Sequence, residues 1–223
     1  MTHLSCCHSV RTRRLAYFFS TFFLIAFAAL AVAQDRDHDR DQDRDRDHDR
    51  GRIFLSRERT VVDFGGGRGG RPSPDAQCEP GFVAVGFHVQ TGEYYNQAWL
   101  DCAPLLPDGR LGDDRRMTER TGSPGGRPVR DAFCTEGRVL RGLTGRTGAS
   151  IDEAAGMCSH VRQIAERENP RVDLTESIVR PGPGGRPAEA QCPPGFVVTG
   201  LRSTSGEYMD HLWIVCSELK RGD

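Results

Sequence analysis

Residues 192–216 read CPPGFVVTGLRSTSGEYMDHLWIVC, and the same frame, with a Cys at each end, occurs at 78–102 and 134–158. In all three copies the second Cys follows the first by 24 positions. Gly stands three, eight and fourteen places after the first Cys: Gly81, Gly86 and Gly92, then Gly137, Gly142 and Gly148, then Gly195, Gly200 and Gly206. Asn96, Asp152 and Asp210 come eighteen places after it, and the same Gly-Gly-Arg-Pro precedes each copy, at 69–72, 125–128 and 184–187. Self-similarity at a period of 56 to 58 residues means that one supersecondary unit is built three times.

Within a unit, a β-prone run (82–89, 138–143, 196–201) places apolar residues five, six and nine after the Cys: Val83, Ala84 and Phe87; Val139, Leu140 and Leu143; Val197, Val198 and Leu201. Gly at the eighth place predicts a bulge or a close backbone approach. A turn around Gly92, Gly148 or Gly206 follows, and a second strand (98–102, 154–158, 212–216) returns to the closing Cys. The two cysteines then stand at the open end of one hairpin, within disulfide reach. The Gly-Gly-Arg-Pro segments read as tips of a second hairpin per unit, making twelve strands. The chain begins with a Gly-Gly hairpin and ends with a cysteine hairpin, so the third unit must be completed by the N-terminal segment. The expected architecture is all-β: three four-stranded sheets around a pseudo-threefold axis.

Residues 1–33 read as an export signal, with Arg11, Arg13 and Arg14 ahead of the apolar run 15–33, which ends in Ala31-Val32-Ala33. The alternative is an uncleaved anchor, since nineteen apolar residues just span a bilayer. Either places the rest outside the cytoplasm, secreted or periplasmic, and membrane association is expected only if the signal is uncleaved. Residues 34–52, with eight Asp and six Arg in near-alternation, have nothing apolar to bury and read as a disordered, solvated linker. The run lacks the Gly and Glu of a calcium loop in any one register.

Six cysteines remain after the signal, an even number that in an exported chain argues for disulfides. Six allow fifteen connectivities, and a unit that closes on itself favours Cys78–Cys102, Cys134–Cys158 and Cys192–Cys216. No Cys pair has zinc-ligand spacing, so no metal or other cofactor is expected. Without the signal, 27 basic residues face 31 acidic ones, and Lys220 is the sole lysine, so nucleic acid is not an expected partner. His88, His160 and His211 fall at unrelated places in the repeat and no nucleophile motif appears, so the chain reads as no enzyme. The terminal Arg221-Gly222-Asp223 matches an integrin-binding tripeptide, but in a chain with 29 Arg and many Gly and Asp it reads as chance.

A Gly-Gly loop paired with a G-x-x-x-D loop in a three-sheet all-β chain resembles the jacalin-related lectins and their β-prism fold. The second motif reads Gly206-Glu207-Tyr208-Met209-Asp210 and Gly148-Ala149-Ser150-Ile151-Asp152, with Gly92-Glu93-Tyr94-Tyr95-Asn96 as an amide variant. The resemblance covers residues 53–223 and implies a prism of Greek-key sheets, here with disulfide-stapled hairpins. The cysteine frame departs from plant jacalins and is more similar to the vitelline membrane outer layer proteins, which share the prism and are cysteine-rich.

The resemblance also implies a site. A sugar presents vicinal hydroxyls, which need a fixed acceptor, preorganised backbone N–H donors and an aromatic face. Asp210 is the best candidate acceptor, with Gly206, Glu207, Tyr208 and Met209 around it and Gly69 and Gly70 facing it. Gly148 and Asp152 rank next, followed by Gly92, Tyr94 and Asn96. The expected partner is a carbohydrate or glycoconjugate. The alternative is a non-catalytic structural or adhesion protein of the outer-layer type, in which each Asp or Asn merely ties its turn. Trp99 and Trp213 read as sheet-packing residues, and Arg71, Arg127 and Arg186 as solvated or stacking ones. The oligomeric state stays open.

Overall fold

The computed structural model describes residues 51–167, 170–179 and 184–222. The expected signal, 1–33, and most of the expected linker, 34–50, lie outside the described residues. Gly51 and Arg52 pair with Gly222 through backbone bonds of 2.9 and 2.8 Å.

Ahead of the first cysteine lie β1 (Ile53–Gly66), β2 (Arg71–Pro72) and β3 (Ala76–Gln77). The first unit supplies β4 (Phe82–Thr91), β5 (Tyr95–Pro104), β6 (Arg116–Met117), β7 (Thr121–Gly122) and β8 (Val129–Phe133). The second supplies β9 (Arg138–Thr147), β10 (Ile151–His160), the helix α1 (Val161–Ala165), β11 (Asp173–Leu174), β12 (Ile178–Val179) and β13 (Arg186–Gln191). The chain closes with β14 (Phe196–Ser205) and β15 (Met209–Arg221).

The strands form three sheets of four ranks each, one outer rank always broken in two. A cysteine hairpin makes the two inner ranks: β4–β5, β9–β10 and β14–β15. The outer ranks are the strands flanking a Gly-Gly-Arg-Pro loop: β6 and β7 with β8, β11 and β12 with β13, and β1 with β2 and β3. Reading across a sheet, the order third-second-first-fourth is a Greek key. The third sheet borrows its outer ranks from the N-terminus, with Ile53 opposite Arg221 and Gly66 opposite His211. The expected closure of the last unit by the first segment is therefore the observed topology, and the three-sheet β-prism is the observed fold.

The eighth-place glycines do both things expected of them. Pairing skips Val85, Arg141 and Thr199, so each inner strand bulges one residue before its Gly. The carbonyl of each skipped residue accepts an N–H from a cysteine: Cys134 to Val85, Cys192 to Arg141 and Cys78 to Thr199, at 2.8–2.9 Å. A Cβ on Gly200 would stand 3.1 Å from the Ala76 carbonyl, and one on Gly142 would strike the Ala190 carbonyl. Gly142→Ala is therefore expected to cost about 1–3 kcal/mol through forced backbone movement, read as a lower urea midpoint; an unchanged midpoint would contradict the close approach.

The three expected disulfides form, with Cα separations of 5.7–5.9 Å. Their placement adds a feature that hairpin logic alone does not supply. The first Cys of each pair directly follows an outer strand of one sheet and bonds to the bulge carbonyl of that sheet's inner strand, whereas the second lies on the hairpin of the next sheet. Cys78 joins the β14 sheet to Cys102 on β5, Cys134 joins the β4 sheet to Cys158 on β10, and Cys192 joins the β9 sheet to Cys216 on β15. The staples close a ring around the prism.

Inward-facing apolar residues fill two layers. The central layer runs along the axis, where Tyr95, Ile151 and Met209 meet from equivalent places with Leu140, Leu143, Val198 and Leu201 around them. Tyr95 donates its hydroxyl across the prism to the Ile178 carbonyl, and burial pushes its phenol far above the usual range. The second layer, at the open hairpin ends, gathers Val83, Val139 and Val197 with Ile53, Leu219 and the Val161 and Ile164 side of α1.

Near this end the buried Glu218 joins strands to loop. It accepts from Ser56 on β1 at 3.1 Å and faces Arg167 at 3.0 Å and Lys220 at 3.2 Å. Burial raises its carboxyl, but the bonds from Lys220 and Ser56 and the charges of Lys220 and Arg167 outweigh that and hold it below the ordinary value. A folded-state value below the unfolded one contributes stability at neutral pH that is lost as pH falls through the depressed value. Glu218→Gln should lower the melting midpoint at neutral pH and flatten its decline between about pH 5 and about pH 2. Parallel acid limbs in the two proteins would contradict this.

Candidate functional site

At the opposite end of the hairpins the three turns are built alike. The N–H of Gly92, Gly148 and Gly206 donates to the carbonyl two residues on, at Tyr94, Ser150 and Tyr208, over 2.9, 2.9 and 3.1 Å. The candidate acceptors Asn96, Asp152 and Asp210 stand just beyond, each beneath the Gly-Gly loop of its own sheet. The second Gly of each loop has a left-handed φ, 76° at Gly70, 79° at Gly126 and 68° at Gly185. A Cβ there would stand 2.5 Å from Asp210 Oδ2 or Asp152 Oδ2, or would strike Asn96 Oδ1. Two requirements thus converge on glycine: a φ that other residues rarely adopt and room for the acceptor. Gly69 and Gly70, not Gly184 and Gly185, face Asp210.

The three cradles are not equally open. Asn96 is 5% exposed and Asp152 4%, whereas Asp210 is half-buried. Twelve places after the first Cys, Gln90 donates to the Gly126 carbonyl at 2.7 Å, and Arg146 donates to the carbonyls of Gly184 and Gly185 at 3.0 and 2.8 Å. These side chains clasp the first and second Gly-Gly loops. The third unit has Thr204 at that place, too short for a comparable reach. Its loop is steadied from behind by His211, whose Nδ1 lies 2.9 Å from the Gly67 carbonyl and whose Nε2 lies 2.6 Å from Asp63 Oδ1.

Asp210 Oδ2 accepts the Gly206 N–H at 2.7 Å, which ties the turn. Oδ1 faces Gly69, where a Cβ would approach to 2.8 Å. Glu207 is exposed, while Met209 sends its side chain into the central core, fully buried. Tyr208 meets Tyr94 of the first unit, ring centroids 4.3 Å apart and planes tilted by 40°. Partial burial, a 3.2 Å hydrogen bond to Glu207 and the charges of Glu207 and Glu93 raise its phenol above the usual value.

The tryptophans pack on the sheets as expected. Trp99, 4% exposed, stacks on His88 at 5.2 Å and under the Arg120 guanidinium at 4.3 Å, and Trp213 stacks on His211 at 4.1 Å. His88 Nδ1 lies 2.6 Å from Asp131, and its buried Nε2 meets no hydrogen-bond partner among the described residues. Among the described residues no group of three or more His, Cys, Asp or Glu is placed to hold a metal ion. A cleft of about 730 Å3 lies at the far end between Gly109–Gly112 and α1, with no Phe, Tyr or Trp among its described lining residues.

Sequence reasoning missed the clasps of Gln90 and Arg146, the support from His211 and the Tyr94–Tyr208 pair. The first was present as a column of Gln, Arg and Thr at one place in the repeat. The others join residues in different repeats or on the N-terminal strand.

No protein-family model and no curated protein sequence matches the chain. Among solved structures, artocarpin complexed with methyl-α-mannose is similar, with a TM-score of 0.50 at 12% identity over 73% of this chain and 99% of artocarpin. Calystegia sepium agglutinin has a TM-score of 0.47 at 12% identity over 73% and 96%, and a Malaysian banana lectin 0.46 at 13% over 72% and 98%. The likeness to artocarpin is one of fold: the chain has the jacalin-like β-prism.

Proposed function

We propose that the protein is an exported, non-catalytic carbohydrate-binding module, and that its working cradle is formed by Asp210, the turn from Gly206 to Tyr208, and the Gly69-Gly70 loop. The observation that carries this reading is the contrast among the acceptors. Asn96 and Asp152 are buried under clasped loops, while Asp210 retains exposure beneath an unclasped one. A carboxylate that accepts two hydroxyl protons, flanked by backbone amides, suits the vicinal diol of a sugar. Three disulfides fit an oxidising compartment, in agreement with an exported chain.

A glycan-array screen of the oxidised full chain tests this reading, with binding to a set of neutral glycans as the expected result. A second reading draws on the bond from Gly206 to Asp210 Oδ2, which is turn chemistry whether or not a ligand is present. It makes the prism a structural or adhesion module of the outer-layer type. Silence across the array from a folded, oxidised protein decides for that reading.

A further inference from the structure

Tyr94 and Tyr208 occupy the same place in two repeats, sixteen after the first Cys, and the second repeat has Ser150 there. The rim at the turn end is therefore asymmetric, because the first and third units meet through two aromatic rings and the second has none to offer. A hydrogen bond reinforces the meeting. Ser123, just ahead of the Gly125-Gly126 loop, donates its hydroxyl to the Gly206 carbonyl.

Resting on the lectin reading, we propose that the Asp210 cradle and the Tyr94–Tyr208 pair form one extended site for a neutral oligosaccharide of at least two residues. The first unit's turn is then a wall of the third unit's site and not a site of its own. Asn96 is buried beneath Gly126 and its loop is clasped by Gln90, so this turn's contribution lies in the exposed Glu93 and the half-buried Tyr94. Tyr208 is engaged with Tyr94, so its ring does not lie over a sugar seated on Asp210. The paired rings instead continue the surface sideways, where the C–H face of the next sugar residue would stack.

Glu93 and Glu207 fix the charge class. Glu207 lies within 3.2 Å of the Tyr208 hydroxyl, and the exposed Glu93 directly precedes Tyr94 on the first unit's turn. Such groups accept hydroxyl protons from a neutral sugar and repel an anionic one, which supplies discrimination as well as affinity.

The test is calorimetric titration of the oxidised full chain. The probes are the methyl glycosides of mannose, glucose, galactose and N-acetylglucosamine, the matching homodisaccharides, and a glucuronate-terminated disaccharide. For the sugar that binds, the disaccharide should bind at least about tenfold more tightly than the methyl glycoside. The uronate should be the weaker disaccharide. Tyr94→Ser, which copies the second repeat, should remove most of that ratio, and Tyr94→Phe should keep it. Equal affinities in the wild type, or a ratio that survives Tyr94→Ser, overturn the extended site while leaving the lectin reading in place. Silence toward every probe from the folded wild type overturns both.

Discussion

Reduction of the three disulfides should unfold the protein at temperatures where the oxidised form is stable. Each bridge joins residues 24 apart, and closing a loop of that length adds about 2–4 kcal/mol. Three such terms rival the whole stability of an ordinary domain, about 5–15 kcal/mol. The ring arrangement makes the loss more severe than three independent hairpin staples would. Every bridge spans two sheets, and three of the six outer ranks are pairs of two-residue strands that a ladder alone holds weakly. Removing one bridge, as in the Cys134→Ala, Cys158→Ala double variant, should leave a folded protein with its melting midpoint lowered by about 5–15 °C. Circular dichroism with and without reductant reads both effects. An unchanged melt in reductant would show that the sheets hold without the staples.

Asp210→Ala should weaken glycan binding about 100-fold or more, since it deletes a charged acceptor of two hydroxyls, each such bond worth about 1.5–3 kcal/mol. The fold should survive. The turn loses one bond, from Gly206, but keeps the Gly206 to Tyr208 backbone bond, so the expected stability cost is about 1 kcal/mol. Asp152→Ala should behave in the opposite way. Asp152 is 4% exposed and faces Gly185 under the Arg146 clasp, so its loss should lower the melting midpoint and leave glycan affinity within about twofold. The crossed pattern separates a ligand acceptor from a turn tie on one repeat frame. Equal losses of binding in both variants would mean that the second cradle also works.

Much of the architecture is legible in the sequence because the repeat prints it three times. Cysteines 24 apart, a Gly at the eighth place and a Gly-Gly tip ahead of each copy define the hairpins, the bulges and the cyclic closure. What the repeat could not supply is contact between its copies. That Cys78 belongs to the β14 sheet depends on a bond from its N–H to Thr199, 121 residues on. No spacing within one copy encodes it. The helix α1 was likewise invisible, because five residues with Val161 and Ile164 inward make too short a periodic signal. At the candidate site the acceptors and glycines stood out by position, whereas their openness did not. The half-buried Asp210 belongs to the repeat with Thr204 where the other copies have Gln90 and Arg146, a difference with meaning only once the clasps are seen.

The most direct test of the rim site is a 15N-amide titration of the oxidised protein with its best-binding neutral glycan. The predicted shifts concentrate at Gly67–Gly70, at Gly206–Asp210 and at Glu93 and Tyr94, with the second unit's turn, Gly148–Ser150, little moved. Shifts gathered instead at the far cleft, around Gly109–Gly112 and Val161–Gln163, would place the ligand at the other end of the prism and contradict the account.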